Sequence, residues 1–193
     1  MAKLEELKKR LRPGKVYRRE DLSKWSTSVD RHLQELVLDG KLEKLSQGLY
    51  YSPKQSAFGK TPPEEQELLE GFLKTDRFLV TSPNLYNSLG LGTTQLYNKR
   101  VVYNNKRHGL VKLGNREYQF HFKLDFPNTL SKEFLMVDLV NNLESLAEDS
   151  KQVLAKVAVK VTNLDQRKLG QAVKRYGHVA TKKIFASLLH QSL

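Results

Sequence analysis

Cysteine is absent from the 193 residues. Disulfide scaffolds, iron–sulfur clusters, cysteine-ligated zinc and thiol nucleophiles are all excluded with it. No apolar run approaches the ~20 residues that span a bilayer, so no transmembrane helix and no membrane partner are expected. The opening residues Met1-Ala2-Lys3-Leu4-Glu5-Glu6 hold no apolar stretch of the secretory type, which predicts a cytoplasmic chain. Glycine-rich phosphate loops are missing as well: neither G-x-x-x-x-G-K nor G-x-G-x-x-G occurs, and Gly90-Leu91-Gly92 reads as a helix stop. There is no G-x-S-x-G nucleophile elbow. His32, His108, His121, His178 and His190 show no metal-ligand spacing. Glu117, Lys123 and Asp125 fall short of the converging oxygens a nuclease metal site needs. A protein without catalytic residues, metal or cofactor is expected.

Positive charge is what the chain has in excess. Lys and Arg number 33 against 21 Asp and Glu, for a net charge of +12. Residues 1–60 carry 14 basic and 8 acidic side chains, and residues 61–150 carry 10 and 12. Residues 151–193 carry nine basic side chains against Asp165 alone. Two basic ends around a near-neutral middle, with a pI near 9.8, form the footprint of a polyanion binder.

Periodicity divides the chain in three. Leu4, Leu7 and Leu11 predict a first helix ended by Pro13-Gly14, and Lys15-Val16-Tyr17 a short strand. A second helix covers Arg19 to Trp25. A third, capped by Ser26 or Thr27, turns Val29, Leu33, Leu36 and Val37 inward and stops at Gly40. Lys41 to Leu45, a Ser46-Gln47-Gly48 turn and Leu49-Tyr50-Tyr51 then alternate as a β-hairpin. Three helices and a hairpin, in that order, predict a winged helix-turn-helix over 1–53. Residues 54–60 read as a linker. Thr61-Pro62-Pro63-Glu64 reads as a helix start within a second domain, 61–193. That domain is expected to be α+β, with Arg100–Tyr103, Gly109–Leu113 and Arg116–Lys123 as an antiparallel meander. Helices follow from Ser131, and the strongly basic part begins near 150.

In a winged helix the third helix enters the major groove. Here its outward face carries Thr27, Ser28, Arg31 and Gln34, which can hydrogen-bond base edges. Lys15, Arg18, Arg19 and Lys24 around the second helix are candidate phosphate contacts. Lys44 and Lys54 flank the hairpin turn and serve the same end.

Several runs carry a family resemblance. They are Arg12-Pro13-Gly14-Lys15-Val16-Tyr17, Val29-Asp30-Arg31-His32-Leu33, Leu36 to Leu42 and Gly48-Leu49-Tyr50-Tyr51. Together with Thr61-Pro62-Pro63, Ser88-Leu89-Gly90-Leu91 and Lys112 to Arg116 with Phe120, this order resembles the AbiEi-type antitoxins over about residues 5–125. These are winged-helix transcriptional regulators of type IV toxin–antitoxin systems. The resemblance implies a repressor that binds inverted repeats in the double-stranded DNA of its own promoter. It also implies a functional partner, a nucleotidyltransferase-like toxin, counteracted without a stable complex. By position it makes Thr27, Ser28, Arg31 and Gln34 the base readers, and Lys44, Gln47 and Lys54 the wing contacts. Lys168, Lys174, Arg175, Lys182 and Lys183 then add DNA contacts or serve the antitoxin role, and both remain open. A DNA-binding regulator without a toxin and an RNA-binding protein are the competing readings.

Overall fold

The computed structural model describes residues 2–91, 97–98 and 100–190, so Gly92 of the expected helix stop lies outside the described residues. The architecture is α+β. The chain divides into two compact units, Met1–Asp76 with Val111–Glu117, and Arg77–Leu110 with Tyr118–Leu193. Among the described residues no helix is long and apolar enough to cross a membrane.

The first unit runs α1 (Ala2–Arg10), β1 (Val16–Arg18), α2 (Arg19–Leu22), a 3-10 turn at Ser23–Trp25, and α3 (Val29–Leu38). Leu7, Leu22, Val29, Leu33, Leu36 and Leu42 form its core, so the inward face of α3 is the one its apolar spacing dictates. Gly40 ends α3 in the left-handed region at φ +68°, a conformation that favours glycine. Lys41 and Leu42 N–H both then return to the Leu36 carbonyl, at 2.9 and 3.0 Å. The start of α3 differs from expectation. Ser28 holds the cap position without a side-chain bond. Ser26 is spent elsewhere: its hydroxyl accepts the Ser28 N–H at 3.2 Å and pairs with Nδ1 of the buried His32 at 2.7 Å.

β2 (Glu43–Ser46) and β3 (Leu49–Tyr51) join β1 in an antiparallel sheet of order β1-β3-β2. On one face Tyr17, Tyr50 and Lys44 lie in a row across the three strands. Against the other face packs α4 (Glu65–Leu73), where a Cβ on Gly71 would meet Val16 Cγ1 at 2.9 Å and Leu49 Cδ1 at 3.3 Å.

The segment read as a linker is a hairpin of its own, β4 (Lys54–Ser56) and β5 (Gly59–Thr61). Polar composition hid it, because a two-stranded ribbon with every residue from 54 to 60 exposed needs no apolar alternation. Thr61 pairs with Lys54 in that ribbon, so it does not cap α4; Glu64 occupies that position and makes no side-chain cap bond.

The second unit holds β6 (Phe78–Thr81), a 3-10 helix at Pro83–Leu89, β7 (Arg100–Asn104), the start of β8 (Gly109–Leu113) and most of β9 (Arg116–Phe122). The expected antiparallel meander is corrected here. Strand order is β6-β7-β9-β8, and β7 runs parallel to β9. The two-residue turn at Gly114-Asn115 zips β8 to β9, and β9, not β8, lies beside β7. Asn104 closes the ladder. Its buried amide donates to the carbonyls of Val102, Arg107 and His121 and accepts the N–H groups of Lys106 and Arg107.

Helices α5 (Lys132–Asn141), α6 (Ser150–Val161), α7 (Gln166–Tyr176) and α8 (Val179–His190) follow, with a 3-10 turn at Leu143–Ser145. Phe134 through Val140 are all buried, so α5 is enclosed on every side. Val157, Leu169 and Phe185 bring α6, α7 and α8 onto it.

Candidate nucleic-acid interface

Thr27, Arg31, Gln34 and Leu38 recur along one line of the α3 region, and all are exposed, Leu38 at 86%. Thr27 and Ser28 precede the first helical turn instead of lying within it. Thr27 Oγ1 accepts from Lys3 Nζ at 3.3 Å. Among the described residues Arg31 reaches Glu35 at 3.7 Å and the His32 ring at 3.5 Å. An exposed i,i+4 pair contributes about 0.3–0.5 kcal/mol, so Arg31 is readily released to another acceptor. Gln34 projects beside it.

Asp30 sits on the flank of this face and would repel phosphate if left open. It is not. Arg19 grips both its oxygens, Nε to Oδ1 and Nη2 to Oδ2, each at 2.6 Å. The hydrogen bonds from Arg19 hold the Asp30 carboxyl below the usual carboxylate range. The Arg19 N–H also bonds the Gly48 carbonyl at 2.9 Å, which fastens the β2–β3 turn. One residue therefore ties the turn to α3. Tyr50, whose hydroxyl is pushed up by burial and then by Asp30, lies opposite Lys44 on the same sheet face. Lys44 is exposed, and no acidic side chain pairs with it among the described residues.

The other cations predicted around the second helix are ion-paired. Arg18 pairs with Glu20 at 3.2 Å and Asp21 at 3.0 Å, and Lys24 shares Asp21 at 3.4 Å. Lys15 pairs with Glu67 of α4 at 3.3 Å. It also lines a hollow of about 460 Å³ with Lys9, Arg10, Arg12, Tyr17 and Trp25. Arg10 lies over the Trp25 ring at 5.4 Å. Sequence reasoning missed this cluster, although the run Lys8-Lys9-Arg10 followed by Arg12 was its signal. Gln47 is exposed at the β2–β3 turn. Lys54 is exposed on β4, where its stem covers Gly14.

A second basic surface belongs to the other unit. α7 buries Leu169, Ala172 and Val173 and exposes Arg167, Lys168, Gln171, Lys174 and Arg175. Arg175 is bound to Asp125, Nη2 to Oδ1 at 2.9 Å and Nε to Oδ2, and these bonds hold the Asp125 carboxyl below its ordinary range. Lys168 lies 4.0 Å from Asp165. Lys174, Lys182 and Lys183 are exposed, with no acidic partner among the described residues. Of the residues weighed for a nuclease, Lys123 pairs with the buried Asp138 at 3.8 Å and Asp125 serves Arg175.

A model of a protein family matches residues 3–173, which covers α1 through most of α7. The chain belongs to the DUF6088 family. Its description is a family of unknown function. No curated protein and no solved structure matches the chain. The DUF6088 match takes in the α3 face, the Arg19–Asp30 pair and the basic stripe of α7 up to Val173; α8 lies beyond it.

Proposed function

We propose that this DUF6088 chain is a sequence-specific DNA-binding repressor whose first 53 residues act as a winged helix-turn-helix. The observation that carries the reading is the junction at Arg19. It neutralises Asp30 on α3 and fastens the β2–β3 turn, leaving Thr27, Arg31, Gln34 and Leu38 in one exposed line. A helix of that chemistry suits a major groove. Arg is bidentate to guanine, Gln to adenine, and an apolar side chain meets the thymine methyl. Lys44 and Gln47 reach the flanking backbone, and such contacts set position without reading sequence.

The resemblance to AbiEi-type antitoxins narrows the proposal further. On that reading the repressor controls its own operon through inverted repeats and counteracts a nucleotidyltransferase-like toxin encoded beside it. The basic surface of α7 and α8 is available for either task.

Fluorescence anisotropy on the native upstream duplex and on a shuffled duplex, over a series of salt concentrations, tests the DNA reading. Preference for the native fragment that persists near physiological salt is expected. Equal binding to both, collapsing as salt rises, would leave a non-specific basic surface and sink the repressor reading. Growth rescue on co-expression with the neighbouring gene tests the antitoxin half separately.

A further inference from the structure

The second unit contains a cavity of about 240 Å³ that the DNA-binding reading does not use. One wall is the face of the sheet on which β6, β7 and β9 align Thr81, Val101 and Gln119 in a row, with Tyr103 and His121 beside them. Facing them stand Pro83, Tyr86, Tyr97 and Asn142.

Beneath this cavity lies a fully buried acid, Asp138. It accepts from the hydroxyls of Tyr86 at 2.9 Å and Tyr103 at 2.8 Å, and from the Asn142 amide at 3.2 Å. Lys123 balances it from 3.8 Å, lying over the Tyr103 ring. Burial and then the charge of Asp138 push both tyrosine hydroxyls far up, so they stay protonated. Their protons are committed to Asp138, and their oxygens accept from the Asn142 amide at 3.5 and 3.3 Å.

The hydrogen-bonding capacity that remains is neutral and amide-like. Among the described residues neither end of the Gln119 amide has a hydrogen-bond partner, and neither has the Asn142 Oδ1. The buried Thr81 hydroxyl has no hydrogen-bond partner among the described residues either. His121 supplies ring nitrogens, and burial followed by the proximity of His108 and Lys123 depresses its basicity, which favours the uncharged ring. Three tyrosine rings and a proline supply flat apolar walls. Among the described residues that line the space there is no lysine or arginine, so they favour an uncharged ligand over a phosphate.

We propose that this cavity is a binding site for a neutral, planar nitrogen heterocycle, a nucleobase or its nucleoside. The ring lies among the tyrosines and its amide-like edge pairs with Gln119. The volume falls below the ~300 Å³ at which drug-sized sites begin, which suits a single ring system and not a dinucleotide. The proposal is independent of the DNA-binding reading, because it uses no residue of the α3 face.

Isothermal titration of the full chain with adenosine, guanosine, cytidine and uridine, and with their 5′-monophosphates, tests it. Saturable binding of at least one nucleoside is expected, with its monophosphate binding no more tightly. Gln119→Leu keeps the volume and removes both ends of the amide, so it should weaken that binding about tenfold at an unchanged melting temperature. In the unmodified protein the Gln119 side-chain amide and His121 ring resonances should move during the titration. Absence of binding by all four nucleosides, unmoved Gln119 and His121 signals, or a monophosphate preferred tenfold over its nucleoside would each overturn the proposal.

Discussion

Arg19 holds Asp30 through two parallel hydrogen bonds of 2.6 Å while its own N–H holds the carbonyl of Gly48. The side chain thus serves α3 and the main chain serves the hairpin turn. An arginine counted as a phosphate contact from its position is engaged in building the surface that would meet the DNA. A bidentate fork makes this role specific to Arg. Arg19→Lys and Asp30→Asn should each lower the melting temperature, and the double variant should lie no lower than the worse single. Additive losses would show that the two residues act apart.

Arg31, a proposed base reader, has one acidic neighbour among the described residues, Glu35 at 3.7 Å. Arg31→Ala should weaken binding to a specific site by ~1–3 kcal/mol and relax preference at one base pair. Glu35→Gln should leave affinity unchanged or slightly raised. Anisotropy on single-base variants of the site reads both, and an equal loss on every sequence would remove Arg31 from base readout.

Gly71 marks the closest approach of α4 to the sheet. Alanine would gain about 1 kcal/mol of helix propensity. Its Cβ would, however, meet the stiff, branched Val16 side chain at 2.9 Å. Overpacking of this kind costs ~1–3 kcal/mol. Gly71→Ala should therefore destabilise on balance in urea unfolding, and a stabilised variant would mean that Val16 can move aside.

Asp138 is the structural centre of the second unit. Asp138→Ala leaves two tyrosine hydroxyls and Lys123 without their acceptor. Removing one partner of such a buried pair costs ~3–5 kcal/mol. Asp138→Asn keeps an acceptor and should cost less. Denaturant midpoints of the two variants rank them, and equal midpoints would show that a neutral acceptor recovers nothing and that the charge of Asp138 carries the effect.

His121 sets a pH dependence. Its folded-state basicity is depressed below the ordinary value of 6.5, first by burial and then by His108 and Lys123. The unfolded chain therefore binds this proton before the folded one does. The associated stability is complete above pH 6.5 and is lost as pH falls through the lower folded-state value. His121→Phe should flatten this loss. An NMR titration midpoint for His121 at or above 6.5 would contradict the depression.

Much of the first unit was legible because its signals are local. The Val29, Leu33, Leu36 spacing and Gly40 define α3, and Gly48 with the Leu49-Tyr50-Tyr51 alternation defines the hairpin. The ribbon at 54–61 was not legible, since exposed polar strands carry no apolar period. The parallel pairing of β7 with β9 was missed for a different reason. It joins residues 18 positions apart across an intervening strand, and nothing local encodes it. Ion pairing was the least legible feature of the candidate interface. Whether Lys15, Arg18, Arg19 and Lys24 are free depends on Glu67, Glu20, Asp30 and Asp21, and of these partners Glu67 and Asp30 are distant in sequence.

Asn104, at the end of β7, acts as a proof-reader of the cavity it does not touch. Its amide fits five main-chain groups only when Val101 stands opposite Gln119 and Tyr103 opposite His121. A slip of one residue would turn Val102 and Phe120 into the wall in their place and send the amide and the imidazole to the far side. One carboxamide in a turn thus decides whether that chamber is lined for polar guests or for oil.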